Sequence, residues 1–227
     1  MEGSFIPDLF TETLRQSRLR RDRHRQCLVE SAASYINKMQ KALRLINIRL
    51  DVVIRDVMGR SGRDIIEAIL SGERNVQVLS SLAQKTVKAS PAEIQAALSG
   101  DWREEYLFEL RQCYELYQFY HKKIGECDAE IQKLLQQEIE RKQKEEDLTK
   151  VQEVKIKKKK ARKNEPQIEL QKLAAELSGG LDVSMIEGVG LGLILCLVCE
   201  VGLDLKVFLS PQARLNSLPP GCGLPRM

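Results

Sequence analysis

Apolar residues recur through the first quarter of the chain at a fixed interval. Val29, Ile36, Leu43, Leu50 and Val57 lie seven apart, and Ala32, Met39, Ile46 and Val53 do the same between them. No Gly or Pro falls between Thr11 and Val57. Two interleaved seven-residue repeats form the a/d seam of a coiled coil, so this stretch predicts one long helix. Gly59 and Gly62 end it, and a short helix bounded by Gly62 and Gly72 follows. Residues 75–88 show no decisive pattern. Ser90, Pro91 and Glu93 then spell a capping box with Pro in the first turn, opening a short helix that stops at Ser99 and Gly100. Asp101 is the expected cap of a second long helix, from Trp102 to about Glu153. Leu110, Tyr117, Ile124 and Ile131 keep one register there, with Tyr114 and Leu135 on the neighbouring one. His121 and Asp128 also fall on the seam, and Gly125 costs about 1 kcal/mol without breaking the pattern. A helical hairpin and a coiled coil with a second copy both satisfy this spacing.

Apolar periodicity stops from 137 to 165. Residues 154–167 form a basic linker closed by Pro166, in which Lys155, Lys157, Lys158, Lys159, Lys160, Arg162 and Lys163 place seven positive charges in nine residues. Ile168, Leu170, Leu173, Ala174 and Leu177 then make an amphipathic helix ending at Gly179 and Gly180. The longest apolar run, Val189 to Cys199, is 11 residues between Glu187 and Glu200. A bilayer needs about 20, so a core helix and no membrane partner are expected.

Composition narrows the class. Aromatic residues are only 5% of 227, and charged residues are 30%, which favours long helices over sheets. The net charge of +4 names no partner. Six cysteines are too few for a disulfide scaffold. Cys196 and Cys199 form a C-x-x-C inside an apolar run, where small core residues are expected before a redox or zinc site. The N-terminal residues include Glu2 and Asp8 and no apolar signal segment, so a reducing cytoplasmic compartment is expected.

Three features suggest chemistry. Arg15, Arg18, Arg20, Arg21, Arg23 and Arg25 cluster at the start of the first helix against Asp22 alone. They are either a solvated helix face or a stripe of guanidinium forks toward phosphate. The lysine run is either a soluble linker or a nucleic-acid contact. Ile186-Glu187-Gly188-Val189-Gly190 runs straight into a helix, as in the hairpin of helix-hairpin-helix modules. There Gly188 and Gly190 would let backbone approach a phosphate at a helix N-terminus, or would merely make a tight turn. No phosphate-binding loop, metalloprotease helix or nucleophile elbow is present, and neither catalytic nor metal-binding residues are assigned.

Longer segments carry a resemblance. KMQKALRLINIRLDVVIRDVMGRSGRDIIEAILSGER, Lys38 to Arg74, is similar to the middle region of DEDD-type insertion-sequence transposases. This is the family named after insertion sequence one-hundred-and-ten, also called bridge-RNA-guided recombinases. The similarity continues from Lys88 to Ile131 and resumes at SMIEGVGLGLILCLVCEVGLDLKVF, Ser184 to Phe208, which resembles the family's C-terminal domain. Where the family often has a Lys soon after the hairpin glycines, this chain has Gly192.

The resemblance implies a mainly α fold: a long coiled-coil helical hairpin followed by a partial helix-hairpin-helix-like domain. Residues 1–10 would be a residual loop from a RuvC-like domain, 11–153 the helical arm with its short insert, and 168–208 the partial C-terminal domain. Gly3 to Gln16 resembles the sequence just after the last of the family's four metal-binding acids. None of those acids, which hold Mg²⁺ in intact relatives, has a counterpart here, nor does the catalytic serine. No cofactor is therefore expected in this chain. DNA, a guide RNA, and either a second copy or full-length transposase through the coiled coil are the implied partners. The expected function is that of a transposase fragment in DNA transposition that binds nucleic acid and associates with other subunits without cleaving strands. The alternative is a structural coiled-coil protein, or an inhibitor of the full-length enzyme. From about Ser210 the family likeness ends. A shifted reading frame over Ser217 to Met227 can encode the family-like motif F-A-S-W-L-R-L-A-P-N, so 209–227 is expected to be an out-of-frame tail.

Overall fold

The computed structural model describes residues 9–84, 86–145, 164–177 and 183–200. The described chain is mainly helical. Its elements are α1 (Leu9–Leu45), α2 (Leu50–Val53), α3 (Arg60–Leu70), α4 (Val76–Ser81), α5 (Pro91–Ala97), α6 (Glu104–Glu145), α7 (Leu170–Leu177), a 3₁₀ turn (Val183–Met185) and α8 (Leu191–Glu200). The chain divides into two compact units, one of residues 26–124 and the other of residues 1–25 with 125–227. Both long helices contribute to both units.

In the 26–124 unit, α1 lies against α6 in antiparallel order. Ala32, Met39, Leu43 and Ile46 from α1 and its end meet Leu110, Tyr114, Tyr117 and Ile124 of α6 in one buried cluster, and Tyr35 stacks on Tyr120 at 5.5 Å. The heptad seam is therefore filled within the chain, as a hairpin. Ile65, Ile66 and Ile69 of α3, Leu79 of α4 and Leu98 after α5 complete the core, each fully buried.

The first long helix is shorter than its spacing predicts. It stops at Leu45 because Asn47 takes φ 60°, the left-handed conformation that Asn tolerates better than other side chains. The Ile48 N–H donates to the Leu43 carbonyl and the Asn47 N–H to the Arg44 carbonyl, both at 2.9 Å, closing a Schellman cap. The residual Ile46 carbonyl accepts from the Asp101 N–H at 2.8 Å. Gly100 permits that approach, since a Cβ there would lie 2.3 Å from the Ile46 oxygen. Leu50 and Val57 are still buried, but from α2 and the loop after it. Their seven-residue spacing outlasts the helix that the spacing implies.

Short-range signals map closely. Ser90 and Glu93 form the reciprocal capping box, with the Ser90 N–H donating to the Glu93 carboxylate at 2.7 Å. Asn75, in the stretch without a decisive pattern, caps α4 by accepting from the Gln77 N–H at 2.9 Å. The expected Asp101 cap is replaced by a tight turn in which the Arg103 N–H donates to the Asp101 carbonyl, and α6 begins at Glu104.

In the other unit, Ile131, Leu135 and Ile139 of α6 pack with Leu170, Leu173 and Leu177 of α7 and Leu191, Ile194, Leu195 and Val198 of α8. Ile139 extends the apolar face beyond 137, where the sequence shows none. Pro166 is buried, and the Gln167 N–H donates to Asp128 at 3.2 Å. The segment before α7 is thus anchored to α6.

Candidate nucleic-acid interface

The α1 arginines do not share one environment. Arg18 and Arg25 are 3% and 5% exposed. The Arg25 Nε donates to Asp128 Oδ1 at 2.5 Å, and its Nη2 donates to the Asn164 carbonyl at 3.2 Å. Arg18 is ion-paired with Glu138. Burial, with the nearby Arg15 charge, pulls the Arg18 pKa below the usual guanidinium value, the cost of taking a charge out of water. Of the six arginines of the stripe, Arg18 and Arg25 therefore fit neither expected reading, being neither on a solvated face nor turned toward phosphate. A guanidinium enclosed with a carboxylate cannot also face solvent.

Heptad arithmetic explains why. Arg18 and Arg25 continue backward, by sevens, the series of Ala32, Met39 and Ile46. Asp22, 2% exposed, continues that of Val29, Ile36 and Leu43. On α6, Glu138 follows Ile131 by seven, and Asp128 lies midway between His121 and Leu135 in steps of seven. The seam persists, but its contacts change from apolar to ionic.

Arg15 and Arg23 meet the C-terminal end of α8. The Arg15 Nη1 donates to the Glu200 carbonyl at 3.2 Å, and Arg23 Nη2 lies 3.8 Å from the Glu200 carboxylate. Cations there complement unpaired carbonyls and the negative end of the helix dipole. Arg21 donates to the Ser17 carbonyl one turn back at 3.2 Å. Arg20 is exposed. The solvent-facing part of the stripe is thus Arg15, Arg20 and Arg23, with Arg21 half-buried beside them. Lys155, Lys157, Lys158, Lys159, Lys160, Arg162 and Lys163 lie outside the described residues.

At the glycine hairpin the Val189 N–H donates to the Ile186 carbonyl at 3.2 Å, and Gly188 takes φ 83°. A positive φ at the third residue of such a turn is the type II geometry, which a side chain would strain. Gly188 is exposed, and α8 starts one residue after Gly190. A Cβ on Gly190 would stand 2.8 Å from Glu165 Oε1. A carboxylate therefore already lies beside the start of α8, and a phosphate approaching Gly190 meets that charge. The signal for Glu165 was absent from the motif itself, because it comes from a segment more than twenty residues earlier.

Cys199 is buried in the α7–α8 core, and burial, with the nearby Asp22 charge, pushes its thiol up to about 12. Cys196 is also raised, chiefly by burial. Such thiols are poor nucleophiles and poor metal ligands. No group of three or more His, Cys, Asp or Glu side chains among the described residues is placed to hold a metal ion. Nor is any helix among them long and apolar enough to cross a membrane. No protein-family model, curated protein or solved structure matches this chain.

Proposed function

We propose that this chain is a non-catalytic helical segment of a DEDD-type insertion-sequence transposase, binding nucleic acid and associating with other subunits in DNA transposition. The observation that carries the reading is the Gly188 turn opening onto α8, in a chain whose segments at Lys38–Arg74, Lys88–Ile131 and Ser184–Phe208 resemble the family in the family's order. Exposed Arg20, the Arg15 and Arg23 pair, and the lysine run supply positive charge for phosphate. DNA or a guide RNA is the proposed partner, with the lysine run contributing more than α1, whose Arg18 and Arg25 are committed to carboxylates. Strand cleavage is not part of the reading, since no residue matches the family's acids or its serine.

A gel-shift titration with duplex DNA and with structured RNA at two salt concentrations tests this. Affinity is expected to fall steeply with salt, by a log–log slope of about 0.9 per duplex phosphate contacted. Replacing Lys157, Lys158, Lys159 and Lys160 by Gln should flatten that slope. Absent or salt-insensitive binding overturns the proposal. A structural interaction protein, or an inhibitor of intact transposase, is the second reading. Inward-turned arginines and exposed phenylalanines on α6 favour it. Undiminished transposition on co-expression with an intact relative argues against the inhibitor.

A further inference from the structure

Aromatic residues are only 5% of the chain, yet three of them meet on one flank of the α1–α6 hairpin. Tyr35 and Tyr120 each stand one residue before a seam position, Ile36 and His121, so antiparallel packing brings them together at the edge of the seam. Their rings stack at 5.5 Å, and the Phe119 ring meets Tyr120 edge-on at 5.9 Å. Both tyrosines are half-buried and pack against the core, whereas Phe119 is 51% exposed. Core packing thus accounts for the two tyrosines and leaves Phe119 unexplained.

Two cations border these rings. Lys38 Nζ lies 4.5 Å from the centre of the Tyr35 ring, and Lys123 Nζ lies 5.7 Å from that of Phe119. Around the α6 axis, Lys123 lies about 40° from Phe119 on the Tyr120 side, and Glu115 about 40° on the other side. The acid therefore stands away from the ring cluster, and the lysine stands within it. Exposed Gln112 and Glu115 interrupt the apolar surface N-terminal to Phe119, so the flank lacks the continuous apolar centre of a protein–protein interface. Flat π-faces edged by ammonium groups instead fit a nucleotide, whose base stacks while its phosphate meets a lysine. A stacked base is worth about 5- to 150-fold in affinity, against about 2- to 5-fold for an exposed cation over a ring. A base can therefore displace Lys38 from Tyr35, which frees that ammonium for phosphate.

We propose that Phe119, Tyr120 and Tyr35, with Lys38 and Lys123, form a stacking site for the unpaired bases of single-stranded nucleic acid. Every base has a π-face, so the site is tolerant of sequence. A duplex keeps its bases inside the helix and cannot fill it. The inference rests on the nucleic-acid reading above and goes beyond it. The lysine run and the glycine hairpin would meet phosphate, which single and double strands share, whereas this site takes bases, which only an unpaired strand offers.

Fluorescence anisotropy of the full chain tests it, with circular dichroism and thermal melting to confirm that each variant folds. The probes are oligothymidylate and oligouridylate of about fifteen nucleotides, an abasic strand of equal length, and a duplex. At least one base-bearing strand should bind about tenfold or more tighter than the abasic strand, whose phosphates are equal in number. F119L keeps apolar bulk but no π-face. It should lose about fivefold or more on base-bearing strands and nothing on the abasic strand or the duplex. F119W should keep the preference, with its indole emission quenched by base-bearing strands alone. K38Q with K123Q should lower the single-strand salt slope by about 0.7 per lysine. Equal affinity for base-bearing and abasic strands overturns the proposal, as does F119L binding as the parent does. Either result with duplex binding intact removes the stacking site and leaves the nucleic-acid reading standing, whereas a chain that binds none of the four probes overturns both.

Discussion

Asp128→Ala is the most searching perturbation of the buried ionic seam. Asp128 is 4% exposed, accepts from Arg25 Nε at 2.5 Å, and accepts from the Gln167 N–H at 3.2 Å. Removing the carboxylate leaves a guanidinium enclosed with only the Asn164 carbonyl at 3.2 Å among the partners described above. Removing one partner of a buried pair costs about 3–5 kcal/mol, because the other charge stays desolvated. For a chain of this size that corresponds to a fall of roughly 6–20 °C in the melting temperature. Replacing both groups by apolar ones, Arg25→Met with Asp128→Leu, should recover most of the loss, since burying a matched pair gains little over hydrophobic packing. Chemical denaturation of the single and double variants forms a cycle whose coupling should exceed about 2 kcal/mol. Additive losses in that cycle, or a D128A variant as stable as the parent, would refute the claim that these charges belong to the core.

Gly62→Ala should destabilise by about 1–3 kcal/mol or more in urea unfolding, because its Cβ would lie 2.0 Å from the Val57 carbonyl oxygen, whereas Gly125→Ala, with open space around it, should stabilise slightly. Tyr114 donates to the Glu67 carboxylate, and burial together with that bond raises its pKa to about 12. A raised phenol contributes stability that is intact below its unfolded value near 10 and is lost as pH rises through about 12. Stability measured across that window should therefore fall more steeply in the parent than in Tyr114→Phe. At neutral pH, alkylation followed by mass spectrometry should label exposed Cys27 well before Cys199, whose buried thiol is held protonated. Equal rates would place Cys199 outside the core.

Much of the architecture was legible along the chain. The two heptad runs mark α1 and α6, because a seven-residue apolar interval constrains a helix regardless of its partner. Ser90, Pro91 and Glu93 mark the start of α5, because a capping box is completed by residues three apart. The same arithmetic, carried backward, places Arg18 and Arg25 on the seam, which residue type alone assigns to solvent or phosphate. What blurred the site was chemistry shared between roles: a guanidinium suits a phosphate and a buried carboxylate equally well.

Tertiary structure decided the rest. Between a hairpin and an intermolecular coil the spacing is indifferent, and the choice followed from α1 and α6 filling one another's seam within the chain. The end of α1 at Asn47 depends on Gly100 admitting the backbone of a segment some fifty residues away. Glu165 reaches the glycine hairpin from before α7, and Asp128 and Glu138 reach α1 from α6. In each case the deciding group is close in space and distant in sequence. Local periodicity specifies which face a residue occupies, whereas the charge or carbonyl that meets it there is set by packing.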